Sequence, residues 1–235
     1  MEFETKVQFL TQPEHNRRTI VISDIHGHRA WLEKLLKKVD FSEKDILIIV
    51  GDMIEKGPES LNTIRYIMEL CEKYTVYPMM GNVDLWRIQM LLTEDGSLDQ
   101  ELYETNERMR QYWKATFFQD LCREAGVSVK TPEEIPAARE AVLAKFQKEL
   151  TFMKELPTIL VTPAFTFVHG GLVHEKLEDN FHLPPFQLLK NDNFINQGKH
   201  FDKYVVVGHW PVCLYRSDIE SSAPYISEEQ KIIAI

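Results

Sequence analysis

The sequence predicts an α/β fold with parallel strands, interrupted by a segment of helices. Over the first third of the chain, short apolar runs rich in β-branched residues alternate with amphipathic helix patterns. Residues 85–155 are instead rich in Glu, Gln, Lys, Arg, Leu and Met, and strand-like runs return from Thr158 onward. Because strands joined through helices by short connections pair in parallel with right-handed crossovers, we expect one domain over residues 1–235, with a helical insertion at about 85–155.

Three strands and two helices are predicted in the first third. The strands are the apolar runs Thr19–Ser23, Asp45–Val50 and Thr75–Met80. Pro78 favours an edge position for the third strand, and Pro58 opens the second helix. In the first helix, apolar residues recur at helical spacing and are expected to form one buried face: Trp31, Leu32, Leu35, Leu36 and Val39.

Helices and then four further strands are predicted beyond residue 85. Gly126 is expected to end one helix, and Pro132 and Pro136 bracket the start of another. The helical segment carries three aromatic residues, Trp113, Phe117 and Phe118. They fit core packing, although they could instead form a lid that stacks a base or covers a peptide. The later strands are the apolar runs Thr158–Thr162, Ala164–Val168, Tyr204–Val207 and Lys231–Ile235.

Composition limits the class of protein. The chain has 235 residues with 27 basic and 36 acidic side chains, which gives a formal charge of −9. A hydrophobic content of 44% excludes a disordered chain, and the acidity argues against bulk nucleic-acid or anionic-membrane binding. The three cysteines are far apart, no apolar run approaches the ~18 residues of a membrane span, and the first residues lack the apolar core of a signal peptide. We therefore expect a soluble cytoplasmic protein.

Polar residues cluster at the ends of five predicted strands, each beside a glycine. The segments are Asp24–Gly27, Gly51–Gly57, Gly81–Asp84, His169–Gly171 and Gly208–His209. Ligands in open α/β sheets bind outside the carboxyl ends of the strands, so we expect these loops to meet at one site. Glycine lets the backbone turn sharply there and lets a substrate approach closely.

The residue types in these loops favour a metal site. Six side chains offer oxygen or nitrogen donors: Asp24, His26, Asp52, Asn82, His169 and His209. Such a donor set, without sulfur, suits Mn²⁺, Fe²⁺ or Zn²⁺ better than Ca²⁺. Six donors exceed the need of one tetrahedral ion, whereas two ions that share a carboxylate would use them all. Two ions ~3.5–4 Å apart can clamp a phosphoryl group and generate hydroxide from a bridging water.

The motifs, in this order, resemble those of the calcineurin-like metallophosphoesterases. The resemblance is to the phosphoprotein-phosphatase branch, which includes bacterial Ser/Thr phosphatases and symmetrical diadenosine tetraphosphate hydrolases. That branch carries Asp-x-His-Gly, Gly-Asp-x-Val-Asp-Arg-Gly, Gly-Asn-His-Asp/Glu, His-Gly/Ala-Gly and Gly-His. The five segments above match it in order, from about Thr19 to Pro211, and the helical middle matches it weakly. The resemblance implies a four-layer αββα sandwich of two mixed sheets.

The resemblance also implies a ligand set and a reaction. Asp24 and His26 would hold one ion, Asp52 would bridge, and three residues would hold the second ion: Asn82, His169 and His209. A hydroxide between the ions would attack phosphorus, with Mn²⁺ favoured and Fe or Zn as alternatives. Two divalent ions against two aspartates would leave the site at about +2, which attracts phosphate in spite of the acidic surface.

One departure from the family pattern concerns the general acid. The family has a histidine after the asparagine, whereas this chain has Val83, which cannot transfer a proton. General acid catalysis contributes ~10²–10⁴-fold, so alkoxide leaving groups should suffer most from its loss. His28, two residues beyond His26, is a candidate substitute, or else a solvent-facing or helix-capping residue. Asp84 could orient a catalytic neighbour, or else act as a helix N-cap.

A second departure concerns the phosphate-binding cation. Glu55-Lys56 stands where the family has Asp-Arg. Arginine would bind phosphate through a planar fork, whereas lysine is a flexible point charge. We therefore predict that Lys56 binds substrate less specifically, or that Arg87 or Arg216 takes over this role.

The sequence favours one function and leaves two alternatives open. The favoured function is a dinuclear metal-dependent phosphoesterase that hydrolyses monoesters of a phosphorylated protein or of a small molecule. A phosphodiesterase or dinucleoside polyphosphate hydrolase is the first alternative, because its better leaving groups depend less on an acid at position 83. The second is a catalytically weakened relative that keeps its metals and recognises a phosphorylated ligand.

Overall fold

The computed structural model describes residues 3–10, 17–92, 115–216, 220–221 and 223–235. Within these residues, nine strands form two sheets. The strands are β1 (Val7–Phe9), β2 (Thr19–Ile22), β3 (Ile46–Ile49), β4 (Thr75–Pro78), β5 (Ile159–Val161), β6 (Phe165–Val168), β7 (Tyr204–Val207), β8 (Tyr225–Ser227) and β9 (Ile232–Ala234).

Helices connect most of these strands. In the described ranges the α-helices are α1 (Arg29–Lys38), α2 (Ser60–Lys73), α3 (Asn82–Leu92), α4 (Thr116–Ala125), α5 (Ile135–Lys145), α6 (Gln147–Lys154) and α7 (Pro185–Leu189). Short 3₁₀-helices lie at Pro132–Glu134, Leu177–Asn180, Phe194–Gln197 and Val212–Tyr215. Among the helices that the structure describes, none has the length and apolar character needed to cross a bilayer.

The predicted mixed α/β architecture is confirmed. The smaller sheet has the order β2-β3-β4 and is wholly parallel, so β4 lies at an edge, as Pro78 predicts. The larger sheet has the order β1-β5-β6-β7-β9-β8. Its strands are antiparallel at β5/β6 and β8/β9 and parallel at the other three junctions.

The side chains of β3 divide the interior into layers. Ile46 and Ile48 belong to an apolar cluster shared with residues of the larger sheet: Leu160, Phe167 and Val206. Leu47 and Ile49 alternate with them and pack into a second cluster with the helices. A third cluster lies on the other side of the larger sheet, where β5 and β7 meet α7 and short loops. The two sheets therefore pack against each other, and the outer face of each sheet is covered by a further hydrophobic cluster.

Helices α1 to α6 pack into one cluster with the smaller sheet. The segment between α3 and α6, expected as an insertion, contributes residues to the same cluster as α1 and α2. Phe117 and Phe118 are buried there, which confirms core packing for both, whereas Trp113 lies outside the described residues. Gly126 ends α4 in the left-handed conformation, with φ of 78°, as expected of a helix-ending glycine.

The predicted buried face of α1 is wrong at two positions. Leu32 and Leu36 are buried, but Trp31 is 71% exposed and Leu35 is 39% exposed. The buried face of α1 is narrow: it consists of Leu32 and Leu36, which lie one turn apart, and the neighbouring Trp31 and Leu35 point away from the core.

The sequence does not predict β1 or β8. Each has three residues and lies at one edge of the larger sheet. Their backbones form a strand by pairing with β5 and β9, so their local sequence carries little signal.

Candidate metal centre

Five loops meet at one end of the two sheets. They follow β2, β3, β4, β6 and β7, and backbone hydrogen bonds tie them together. The Asp24 N–H donates to Gly51 O at 3.1 Å, and the Gly208 N–H donates to His169 O at 3.0 Å. The loops expected to meet at the strand ends are therefore in contact in the fold.

The backbone of these loops is strained. Of the nine described non-glycine residues with positive φ, six lie in the site loops: Asp24, His26, Asp52, Glu55, Lys56 and His209. A non-glycine residue in this region costs of order 1–3 kcal/mol and persists only where its surroundings fix it. This concentration of strain is typical of a functional site.

Two groups of possible ligands share one carboxylate. The donor atoms of Asp24, His26 and Asp52 lie within 4.8 Å of one another, and so do those of Asp52, His169 and His209. Asp52 is buried between them: its Oδ2 lies 3.6 Å from His26 Nε2, and its Oδ1 lies 3.4 Å from His169 Nε2. Asn82 joins the second group, with Oδ1 3.1 Å from His169 Nε2.

Hydrogen bonds on the far side of each ring fix which nitrogen faces these carboxylates. His26 Nδ1 lies 3.1 Å from Ile54 O, and His169 Nδ1 lies 2.7 Å from Val50 O. A carbonyl accepts, so each Nδ1 carries a proton, and Nε2 is the nitrogen that faces the carboxylates and that would offer its lone pair to a metal ion in the neutral ring. Metal-binding histidines are held in this way, and the oxygen and nitrogen donors fit a first-row divalent ion at each group.

The charge of Asp52 governs protonation in the site. Burial opposes a charge on His169, but the negative charge of Asp52 outweighs it and raises the pKa of His169 to about 9. Burial likewise opposes ionisation of Asp52, and the charge of His169 outweighs it, so the pKa of Asp52 is lowered. A field that favours positive charge on a completely buried ring also favours a bound cation.

Comparison with known proteins decides the family. The family model described as calcineurin-like phosphoesterase matches residues 17–228. The chain belongs to this family. The resemblance seen in the motifs is thus confirmed, and the match covers every loop of the candidate metal centre.

Curated relatives match only part of the chain. The "Bis(5'-nucleosyl)-tetraphosphatase, symmetrical" of Shewanella loihica is 46% identical over 68 residues, which cover 28% of this chain and 24% of the relative. The protein of the same name from Coxiella burnetii is 34% identical over 92 residues, which cover 39% of this chain and 30% of the relative. The chain thus spans about a quarter to a third of the length of the curated relatives it matches.

Solved structures resemble the whole fold. A crystal structure provisionally described as a diadenosine tetraphosphatase has a TM-score of 0.59 at 20% identity, covering 98% of this chain and 86% of that one. A protein serine/threonine phosphatase from Saccharomyces cerevisiae has a TM-score of 0.51 at 13% identity, and the match covers 99% of this chain and 71% of the phosphatase. At these identities the likeness shows a shared fold.

Val83 stands where this family's general-acid histidine is expected. It is half-buried in the first turn of α3, and its N–H donates to Asp52 Oδ1 at 2.9 Å. The backbone of residue 83 therefore orients the shared carboxylate, while the side chain offers no proton.

Asp84 lies beneath the site rather than in it. The carboxylate is completely buried and accepts the N–H groups of Gly81 and Met53, both at 3.0 Å. Burial and the charge of Asp52 raise the pKa of Asp84 to about 7. Asp84 is the third residue of α3 rather than its N-cap residue, but by accepting the Gly81 N–H it caps the start of the helix from the first turn. Its bond from Met53 also joins the loops that follow β3 and β4.

Arg87 and Arg216 are engaged elsewhere in this structure. Arg87 Nε donates to Glu55 Oε1 at 2.8 Å, and both side chains are largely buried. Arg216 donates to Ser221 Oγ at 2.8 Å and lies over the ring of Tyr225. Within the described residues, neither arginine contacts the donor side chains of the candidate metal centre.

Lys56 is the predicted phosphate-binding cation that reaches the donor groups. Its Nζ lies 2.6 Å from His26 Nε2, the ring nitrogen that faces Asp24 and Asp52. Lys56 is exposed, so its flexible side chain can turn toward a ligand at the mouth of the site. His28, the candidate acid, makes no side-chain cap on α1, and its ring lies 5.5 Å from that of Trp31.

Sequence reasoning missed Lys190 and Asp192. His209 Nε2 lies 2.6 Å from Asp192 Oδ1, and Lys190 contacts the same carboxylate. Burial and the charge of His169 lower the pKa of His209, so its ring stays neutral, as a ligand must. Neither residue lies in a motif, and only the fold brings their loop against His209.

Replacing Gly81 by alanine is expected to disrupt the site. A Cβ at position 81 would lie 2.0 Å from Asp52 N and 2.3 Å from Asp52 Oδ1, and the backbone nitrogen cannot swing away. We expect a loss of bound metal and a fall in turnover of about 10–100-fold, the size seen when metal-ligand orientation is disturbed.

Gly126→Ala is the matched control for this prediction. It has open space around its Cβ but φ of +78°. It should cost about 1 kcal/mol of stability and leave turnover unchanged. Metal content and kcat measured for both variants would contradict the prediction if Gly81→Ala kept its metal and its rate.

Proposed function

We propose that this chain is a dinuclear metal-dependent phosphoesterase. The observation that carries the proposal is Asp52, a buried carboxylate shared by two donor groups at the meeting point of five strand-end loops. Membership of the calcineurin-like phosphoesterase family supports it. Buried Asp–His pairs that served only to stabilise the fold would not need one carboxylate placed between two groups of donors.

We assign the predicted ligands to two ions. Asp24, His26 and Asp52 would hold one, and four residues would hold the other: Asp52, Asn82, His169 and His209. Two bound divalent ions supply charge neutralisation on the phosphoryl oxygens and lower the pKa of a water molecule. The oxygen and nitrogen donors suit Mn²⁺, with Fe or Zn as alternatives.

Residues of the chain position the ligands and the substrate. The His209 N–H donates to Asp24 Oδ2 at 3.0 Å, and Ser23 Oγ donates to the same oxygen at 2.6 Å. These bonds leave Asp24 Oδ1 directed toward His26 Nε2, 3.5 Å away. Lys56, beside His26, supplies a mobile positive charge for a phosphate that is not undergoing reaction.

We infer that the scissile bond is a phosphoanhydride of a dinucleoside polyphosphate. Position 83 offers no proton, and Asp84 is buried with two backbone amides on its carboxylate. A polyphosphate leaving group departs as a stabilised anion and needs a proton less than an alkoxide does. The names of the matched bacterial relatives agree with this inference.

The turnover of three substrates under Mn²⁺ tests both the phosphoesterase activity and the preference for a dinucleoside polyphosphate. Diadenosine tetraphosphate should be hydrolysed with a kcat/KM at least ~10²-fold above that of a phosphoserine peptide, reflecting the value of general acid catalysis. p-Nitrophenyl phosphate serves as a monoester that needs no acid. Faster hydrolysis of the phosphopeptide would restore the protein-phosphatase function predicted from the motif order.

The absence of turnover on every substrate would favour the second candidate. In that case the chain would bind metal and recognise a phosphorylated ligand without hydrolysing it, and the feature behind this candidate is Val83 together with Lys56, which stand where the family has a histidine and an arginine. Metal content by elemental analysis separates this candidate from an empty site.

We also propose that residues 1–235 form one domain and that the protein is cytoplasmic. The helices between α3 and α6 share a hydrophobic cluster with α1 and α2, which supports the first point. Cys71, Cys122 and Cys213 are unpaired, which suits a reducing compartment.

A further inference from the structure

A tryptophan is exposed on α1, the helix that follows the loop carrying Asp24 and His26. Trp31 lies in the first turn of α1 and is 71% exposed, more than any other large apolar side chain in the part of the chain that the structure describes. The ring of His28 lies 5.5 Å from it at an angle of 37°. Hydrophobic burial therefore does not account for this indole, whose helix neighbours Leu32 and Leu36 are in the core.

The chain keeps Trp31 close to the metal-binding loop. It follows His26 by five residues, a separation that even a fully extended chain could not stretch beyond ~18 Å. The segment is in fact folded, because the Trp31 N–H donates to His28 O at 3.0 Å. A polyphosphate chain with its base attached spans such a distance easily.

Two lysines lie on the same side of α1 as Trp31, although the protein as a whole is acidic. Lys34 and Lys38 follow Trp31 at intervals of three and seven residues, on the same side of α1, and both are exposed. Arg29 is held apart by a 2.7 Å ion pair with Glu33 and by stacking over Tyr66. An aromatic ring flanked by lysines complements a ligand that is both aromatic and anionic.

We propose that Trp31 is the stacking surface for a purine base of a nucleoside polyphosphate whose phosphates lie at the metal centre. This rests on the proposed function, which places phosphates at Asp52. The occupant is a nucleotide because the exposed ring, the lysines and the metal-binding loop are contiguous along residues 26–38. An apolar protein partner would not need the lysines.

Steady-state kinetics with and without a base test the proposal. In Trp31→Ala, the ratio of kcat/KM for diadenosine tetraphosphate to kcat/KM for p-nitrophenyl phosphate should fall about tenfold, as expected for the loss of one base stack. The fall should lie in KM for the nucleotide rather than in kcat. Trp31→Tyr should recover most of the ratio, because a phenol ring still stacks.

Leu35→Ala is the matched control on the same helix. Leu35 is one turn further along α1, is 39% exposed and is apolar. Both rates should stay at their wild-type values in this variant. An unchanged ratio in Trp31→Ala, or an equal fall in Leu35→Ala, would overturn the proposal.

A binding measurement without turnover separates this proposal from the proposed function. A non-hydrolysable ATP analogue added with Mn²⁺ should quench tryptophan fluorescence of the wild type, and the quenching should be clearly smaller in Trp31→Ala, where only the other tryptophans, such as Trp210 beside His209, still report. If neither diadenosine tetraphosphate nor p-nitrophenyl phosphate is hydrolysed, the proposed function fails, and this titration still decides on Trp31. Absence of quenching by the analogue, equal quenching in both proteins, or far tighter quenching by an oligoadenylate than by the analogue, would overturn a mononucleotide stacking site.

Discussion

Replacing Asp52 by asparagine is expected to lower kcat by about 10³-fold or more. The substitution keeps the size of the side chain but removes the charge that both donor groups share. Without that charge the site would lose one of its ions and with it the activation of water, which two metals supply together. Initial rates on diadenosine tetraphosphate and on p-nitrophenyl phosphate under Mn²⁺ measure the effect.

Asp179→Asn is a matched control for this variant. Asp179 is an exposed carboxylate, 56% accessible, that lies 3.9 Å from Lys176. The control should keep its metal and its rate. If Asp52→Asn kept its rate to within tenfold while folded, the two-metal mechanism would be wrong.

Replacing Val83 by histidine is expected to raise hydrolysis of alkyl phosphate monoesters by about 10²-fold, the low end of general acid catalysis. Val83 is half-buried, and its own N–H is bonded to Asp52, so the side chain starts beside the shared carboxylate. An imidazole there can give its proton to a departing alkoxide. The measurement is kcat on a phosphoserine peptide and on p-nitrophenyl phosphate.

If the rate increase in Val83→His comes from general acid catalysis, it should be confined to substrates whose leaving group needs a proton. p-Nitrophenolate leaves without a proton, so its rate should change little. Val83→Gln is polar and similar in length but cannot act as an acid, and it should show no gain on the peptide. An equal rise in Val83→Gln, or no rise in Val83→His, would mean that position 83 does not lack an acid.

The donor side chains of the candidate metal centre could be predicted because each lies in a short local pattern. A buried strand followed by glycine and a polar residue can be recognised from the sequence alone. Parallel strands then bring their carboxyl ends, with these polar residues, to the same edge of the sheet. Asp24, Asp52 and His169 are close in the structure for this reason. Strand order within the two sheets could be anticipated only as far as right-handed crossovers dictate.

Other features of the site depend on contacts between distant segments. The Arg87–Glu55 ion pair joins residues 32 positions apart, and it turns a predicted phosphate-binding arginine toward a buried carboxylate. Asp192 reaches His209 across 17 positions from a loop without a motif. The exposure of Trp31 likewise follows from how α1 lies on its neighbours, because apolar spacing alone would bury it.

Anomalous diffraction from crystals grown with Mn²⁺ tests the central claim most directly. We expect two manganese peaks per chain, ~3.5–4 Å apart, with the carboxylate of Asp52 between them. Asp24 and His26 should lie against one peak, and Asn82, His169 and His209 against the other. A single peak, or two peaks that do not share Asp52, would contradict a dinuclear centre in this protein.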